Sequence, residues 1–161
     1  MRILGIDPGL ATVGFGIVEY NNNKFKTIEY GAVLTPANTD TTLRLKAIYD
    51  DMSYIIEKYK PTEIAIEELF FNTNVKTAVN VGQARGVLIL SAANKNIPAY
   101  EYTPLQVKQA VVGYGRADKA QVQYMVKAIL SLNEIPKPDD TADALAIAIC
   151  HAHTKNNALS T

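Results

Sequence analysis

The chain opens on a short apolar run, Ile3, Leu4 and Ile6, of the length and density expected for a strand buried on both faces. It stops at Asp7, where Pro8-Gly9 predicts a turn: proline fixes φ, and glycine accepts a positive one. Between residues 12 and 20, Val13, Phe15 and Ile17 alternate with Gly14, Gly16 and Val18, the period of a second strand. Asn21-Asn22-Asn23 supplies a turn, and residues 24–34 read as a third strand, completing an antiparallel meander. After a polar connection at 36–42 the period changes. Leu45, Ile48, Tyr49, Met52, Ile55, Ile56 and Tyr59 recur every three or four residues, an amphipathic helix that Pro61 ends. Residues 64–67 form a short apolar strand that, like the first, finishes on an acid, Glu67. A strand that follows a helical crossover is expected to pair in parallel with the meander.

Residues 70–74 form a polar loop with two adjacent aromatics, Phe70 and Phe71. A second helix is expected from Val75 to about Asn94, its inward stripe running through Val75, Val79, Gly82, Gly86 and Ile89 or Leu90. Each of those glycines costs about 1 kcal/mol relative to alanine, which suggests close approach by another backbone, within the domain or from a second subunit. Residues 98–102 predict a fifth strand, and Thr103-Pro104 starts a short helix with an N-cap residue and proline at N1. After the loop at 112–116, Asp118 caps a helix carrying Val122, Met125, Val126, Ile129 and Leu130. Pro136-Lys137-Pro138 breaks the chain before a last helix over 139–152. The pattern gives an α/β domain over residues 1–153, with one mixed sheet of about five strands and helices on its faces. Residues 154–161 are expected to be a polar, disordered tail.

A length of 161 residues suits one domain with a real core. Cys150 is the only cysteine, so there is neither a disulfide framework nor a cysteine-based zinc site, and a reducing cytoplasm is expected. No signal peptide and no membrane span is expected. The net charge of zero would argue against a polyanionic partner, but its distribution does not. Residues 1–69 carry 7 Lys/Arg against 10 Asp/Glu, residues 70–133 carry 7 against 2, and residues 134–161 carry 2 against 4. A basic middle between acidic flanks can hold a polyanion on one surface and keep a carboxylate cluster on another.

Four acids stand out. Asp7 and Glu67 each end a buried strand, where rigid backbone holds a side chain at a crevice. Asp140 and Asp143 lie three apart at a helix start, on about the same face. Dipole complementarity accounts for Asp140 alone but not for Asp143, which Ala142, Ala144, Leu145, Ala146, Ile147 and Ala148 surround. A half-buried acid is costly unless a cation pairs with it. Oxygen ligands of this kind suit Mg²⁺ or Mn²⁺, and the chemistry that uses such a cluster is phosphodiester hydrolysis.

Five stretches resemble the RuvC family of bacterial Holliday junction resolvases. They are Leu4-Gly5-Ile6-Asp7-Pro8-Gly9, Ala65-Ile66-Glu67, Gly82-Gln83-Ala84-Arg85-Gly86-Val87, Gln106-Val107-Lys108-Gln109 with Val111-Val112-Gly113, and Ala142-Asp143-Ala144-Leu145-Ala146-Ile147-Ala148. They occur in family order across nearly the whole chain. The resemblance implies a ribonuclease H-like fold and a homodimer that binds a four-way DNA junction and nicks two opposed strands symmetrically. Asp7, Glu67, Asp140 and Asp143 would be the catalytic, metal-binding acids, with one or two Mg²⁺ ions per subunit and Mn²⁺ as a substitute. Asp139 lies beside Asp140 and leaves that assignment one residue uncertain. Lys108 and Lys119 match family lysines that contact DNA, and Arg85 and Arg116 join them as DNA-binding candidates. Phe70 matches an aromatic that inserts at the junction centre, where a ring can replace lost base stacking. The helix from Val75 corresponds to the dimer-forming element, and the RuvA-RuvB branch-migration complex is the implied partner. His151 and His153, two apart on a helix, make a poor metal pair and are expected to be structural.

Three other readings compete. Actin-like kinases and ATPases share a strand ending in Asp-x-Gly, but Leu10 follows Gly9 where a phosphate-touching Thr or Ser would stand, and no second copy of the fold is present. A RuvC-like nuclease of ribosomal RNA processing shares the Gly-Ile-Asp start but not the 82–87 and Lys108 regions. A non-catalytic junction-binding protein would have no need of all four acids.

Overall fold

The computed structural model describes residues 1–69 and 74–159, so the expectations for Phe70 and Phe71 fall outside the described residues. β1 (Arg2–Asp7), β2 (Thr12–Asn21) and β3 (Lys24–Leu34) form the antiparallel meander. α1 (Thr41–Tyr59) crosses over, and β4 (Glu63–Glu67) returns parallel to β1. After α2 (Val75–Asn94), β5 (Ala99–Tyr102) adds in parallel to β4, for a sheet order of β3-β2-β1-β4-β5. α3 (Pro104–Val112), α4 (Lys119–Ile129) and α5 (Asp139–Leu159) complete the chain. The mixed five-stranded α/β architecture expected from the sequence is the one observed.

Side-chain alternation gives the sheet two cores. Leu4, Ile6, Ile64 and Ile66 pack with α1 and α2 on one face. Ile3 and Ala65 pack with α3, α4 and α5 on the other. α5 is apolar around most of its girth, and every residue from 144 to 152 is buried, as expected for a helix enclosed on all sides. It reaches the sheet through glycines. A Cβ at Gly5 would overlap the Ala144 carbonyl oxygen, and one at Gly14 would overlap the Asp140 carbonyl oxygen. Backbone-to-backbone contact at these two points fixes the height of α5 above β1 and β2.

Two expectations are corrected. The inward face of α2 is not the expected stripe through Val75, Val79, Gly82, Gly86 and Ile89 or Leu90, of which only Ile89 packs against the core: Val75, Val79 and Leu90 are all more than half exposed. Ala78, Ala84, Leu88, Ser91 and Ala92 face the core instead. The small alanines let α2 lie close to α1, Val87 packs partly against the same core, and Val75 and Val79 are left outside. Within the described residues, a Cβ on Gly86 would meet nothing and one on Gly82 only Leu69. The second correction concerns residues 154–159, where α5 continues in place of a disordered tail. Its polar side chains are tied down: the Thr154 hydroxyl donates to the Cys150 carbonyl at 2.8 Å, and Lys155 Nζ donates to the Tyr100 hydroxyl at 2.9 Å.

Candidate active site

Strand register brings the first two acids together. Ile6 pairs with Ile66, so Asp7 and Glu67 lie side by side at the carboxyl ends of two parallel strands. Alternation turns both towards α5, because Ile6 and Ile66 belong to the α1–α2 side. Across the other edge of β1, Asp7 is in register with Gly14, on which the backbone of Asp140 sits. The first turn of α5 therefore starts above Asp7, and Asp143 follows one turn later on the same side. At the far end of the same face, Glu63 meets the buried His151, whose Nδ1 lies 2.7 Å from the Tyr102 hydroxyl. Four strand residues from Glu67 to Glu63 span about 13 Å, and eight helical residues from Asp143 to His151 span about 12 Å, so strand and helix stay in step. His151 is structural, as expected.

The electrostatics of the acids are those of a cluster with excess negative charge. Burial pushes the Asp7 carboxyl up to about 9, with the charges of Glu67, Asp143 and Asp140 adding to the effect, and Asp7 and Glu67 share a hydrogen bond. Glu67 is raised mainly by burial, while the hydrogen bond from Asp7 and the charge of Lys108 pull the other way. Asp143 is raised by burial against the pull of Lys119. Lys119 Nζ sits 3.3 Å from Asp139 and 3.7 Å from Asp143. Among the described residues no three Asp, Glu, His or Cys side chains already form a metal cage. The acids are near enough to shift one another's titration. Their all-oxygen donor set fits a hard divalent cation.

The structure separates Asp139 from Asp140. Asp139 is exposed and bound to Lys119 and to Gln123 Nε2 at 3.3 Å, whereas the charge of Asp140 acts on Asp7. The sequence could not make this distinction, because it depends on which of two adjacent helical residues lies over Gly14.

On the α3–α5 side the cluster opens into a cavity of about 290 Å³, with Glu67, Asp143, Lys108 and Lys119 in its walls. The first residues of α3 and α4 also line it. Both helices begin with a capping box, from Thr103 with Gln106 and from Asp118 with Gln121. Two helix amino ends and two lysines make this cavity attractive to anions, next to acids that repel them. Lys108 and Lys119 both line this cavity beside Glu67 and Asp143.

The Arg85 side chain lies outside this cavity and is only 14% exposed, with Nε donating to the Glu67 carbonyl at 3.1 Å and Nη2 2.5 Å from Glu101. The close approach to Glu101 is an ion pair without good hydrogen-bond alignment. These contacts fasten α2 to the ends of β4 and β5. Arg116 is exposed on the loop between α3 and α4, outside the walls of the cavity. A basic residue missed in the sequence, Arg44, lines a second cavity bordered by Asp140. Its signal was present: Arg44 is four residues before the buried Ile48, on the inward side of α1.

A family model described as crossover junction endodeoxyribonuclease RuvC matches residues 3–151. The crossover junction endodeoxyribonuclease RuvC of Alkaliphilus oremlandii is 65% identical over 156 residues, covering 97% of this chain and 95% of its own length. That of Clostridioides difficile is 63% identical over 154 residues, covering 96% and 91%. Among solved structures, T. thermophilus RuvC in complex with Holliday junction substrate matches with a TM-score of 0.94 and 36% identity, covering 98% of this chain and 96% of that one.

Proposed function

Because the chain belongs to the RuvC family of crossover junction endodeoxyribonucleases, we propose that it resolves four-way DNA junctions by paired, symmetric nicking. It is a ribonuclease H-like α/β endonuclease, and its reaction is metal-dependent hydrolysis of a phosphodiester. The observation that supports the site is the register that sets Asp7 beside Glu67 beneath the first turn of α5.

Asp7, Glu67, Asp140 and Asp143 would hold the cation, taken as Mg²⁺ with Mn²⁺ as substitute and one or two ions per subunit. When bound, it supplies positive charge at the scissile phosphate and acidifies the attacking water. The residues of the chain do the rest. The proton shared by the Asp7 and Glu67 carboxyls must leave before both can act as ligands, so cleavage at limiting Mg²⁺ should rise with pH through the neutral range. Lys119 holds Asp143 and Asp139 in place until the substrate arrives. Lys108 and the amino ends of α3 and α4 receive the sugar–phosphate backbone beside the acids. Phe70 is proposed to stack against unpaired bases at the junction centre, on the family resemblance alone.

Two opposed cuts need two sites. The exposed α2 face bearing Val75, Val79, Gly82, Gly86 and Leu90 supports a homodimer, in which the glycines meet the partner rather than their own domain. Residues 1–153 are proposed as the nuclease unit, with the last turns of α5 attached. The RuvA-RuvB complex as partner and the cytoplasm as location complete the reading. Among the described residues no helix is long and apolar enough to cross a membrane.

The test is cleavage of a labelled four-way junction beside a linear duplex of the same sequences, with Mg²⁺, by wild type and Asp7→Asn. Paired nicks in the junction alone, absent from the variant, are expected. Preferential cutting of RNA or linear DNA would move the protein to the RNA-processing branch.

A further inference from the structure

On the α1–α2 side of the sheet, opposite the Lys108–Lys119 cavity, lies a second cavity of about 460 Å³, with Gly9, Thr12, Arg44, Thr77, Asn80 and Asp140 among its walls. That volume is within the usual range for ligand sites. Asp140 joins it to the acid cluster.

Arg44 is partly buried and held from one end. Its Nε donates to the Thr35 hydroxyl at 2.8 Å, and that buried hydroxyl donates to the Leu10 carbonyl at 2.5 Å. The relay fixes the guanidinium relative to the turn that follows Asp7. Lys119 is paired with Asp139 and Asp143, and Arg85 with Glu101. Arg44 forms no ion pair among the described residues. A partly buried guanidinium that forms no ion pair, in a cavity whose walls also carry Thr12, Thr77, Asn80 and Asp140, is suited to an anion that accepts two parallel hydrogen bonds.

We infer that this cavity binds a phosphodiester of the scissile strand, gripped by Arg44 and met by Thr77 and Asn80 from α2. The inference rests on the nuclease reading above and adds the path of the substrate. A strand whose reacting phosphate lies over Asp7 and Glu67 continues on one side to Lys108 and Lys119, and on the other to Arg44. The acids then lie between two cationic holds, one on each face of the sheet, and both flanking phosphates are fixed while the central one is cut. Neutral Thr and Asn side chains beside an arginine are common phosphate contacts. Asp140, in the wall of the cavity, keeps loose anions from settling there without the rest of the strand.

The test is junction binding in EDTA, read by fluorescence anisotropy between about 50 and 200 mM salt. Arg44→Gln keeps a donor for Thr35 but removes the charge, and Asn80→Asp puts a negative charge on the opposite wall without touching Arg44 or Thr35. Both variants should weaken binding about three- to tenfold, and Arg44→Gln should reduce the steepness of log K against log salt by about 1 per site. Arg44→Lys should restore the slope. Weaker binding by Arg44→Gln with an unchanged slope would overturn the inference and leave Arg44 as a brace for Thr35. So would folded Arg44→Gln and Asn80→Asp proteins that both bind as wild type does. If Arg44→Gln fails to fold, Asn80→Asp decides alone. Wild-type protein that neither binds nor cuts the junction fails the functional reading instead, so the two failures can be told apart.

Discussion

Asp143 is the residue at which local and global demands conflict most sharply. Every residue from 144 to 152 is buried, yet Asp143 carries a carboxylate that burial pushes towards its neutral form. An acid kept at such a cost is what the proposed metal-binding role of Asp143 would require. Asp143→Asn preserves shape and removes the charge, so junction cleavage should fall at least about 100-fold while gel-shift affinity in EDTA stays within about threefold. Loss of folding instead would make its role structural. Asp7 gives a second test, in pH. Its folded-state carboxyl is pushed up to about 9 against an ordinary value of 3.8, so the folded protein retains a proton that the unfolded chain has lost. Stability from this group is complete below about 4 and declines as pH rises towards 9. Metal-free Asp7→Asn should therefore melt higher than wild type, by a gap that widens from pH 5 to pH 9. Relief of a few kcal/mol corresponds to roughly 5–10 °C for a chain of this size. A gap that is constant with pH would mean that Asp7 is not a buried, charge-strained acid.

Among the elements, α5 positions the site and α2 carries its outer support. Gly5 allows the backbone of α5 to touch β1, and a methyl group there would collide with the Ala144 carbonyl and crowd Ala148. Overpacking of this kind costs about 1–3 kcal/mol or more. Gly5→Ala should lower the melting temperature by several degrees and abolish cleavage even where circular dichroism shows a folded protein, because Asp140 and Asp143 ride on the displaced helix. Retained activity in a folded variant would show that the acids tolerate a shift of α5. Arg85→Met should behave oppositely to the Arg44 change: lower thermal stability by about 1–3 kcal/mol, with no change in the salt slope of junction binding, since Glu101 already neutralises the charge. The sequence showed the elements well, since their periods are local: β3 and α2 begin and end where the pattern placed them. It misplaced the buried face of α2, because alanines at 78, 84 and 92 carry little periodic signal while Val75 and Val79 carry much. It also released the chain too early at Thr154, whose anchors, Tyr100 and the Cys150 carbonyl, cannot be seen in a run of polar letters. All four acids were singled out from strand ends and a helix start, and the structure brings Asp7, Glu67, Asp140 and Asp143 near enough to act on one another. The choice of Asp140 over Asp139, the inward turn of Arg85 and the cavity at Arg44 depend on register across the sheet.

At the scale of the whole molecule, the exposed α2 face bears on the outcome of the reaction. Symmetric resolution requires two active sites held at a fixed spacing, and one chain has a single acid cluster. Val75, Val79 and Leu90 leave an apolar stripe outside the fold, and Gly82 and Gly86 interrupt it where a second helix could approach closely. A glycine that nothing within its own domain crowds is otherwise a cost without a return. Val79→Glu places a charge in the middle of this face and leaves the buried residues Ala84 and Leu88 untouched. The variant should keep its melting transition by circular dichroism, yet elute at about half the wild-type mass in size exclusion with light scattering. On a four-way junction it should give single nicks in place of paired ones, since each monomer acts alone. A variant that remains dimeric and still cuts in pairs would shift the interface to another surface and leave the glycines of α2 without an explanation.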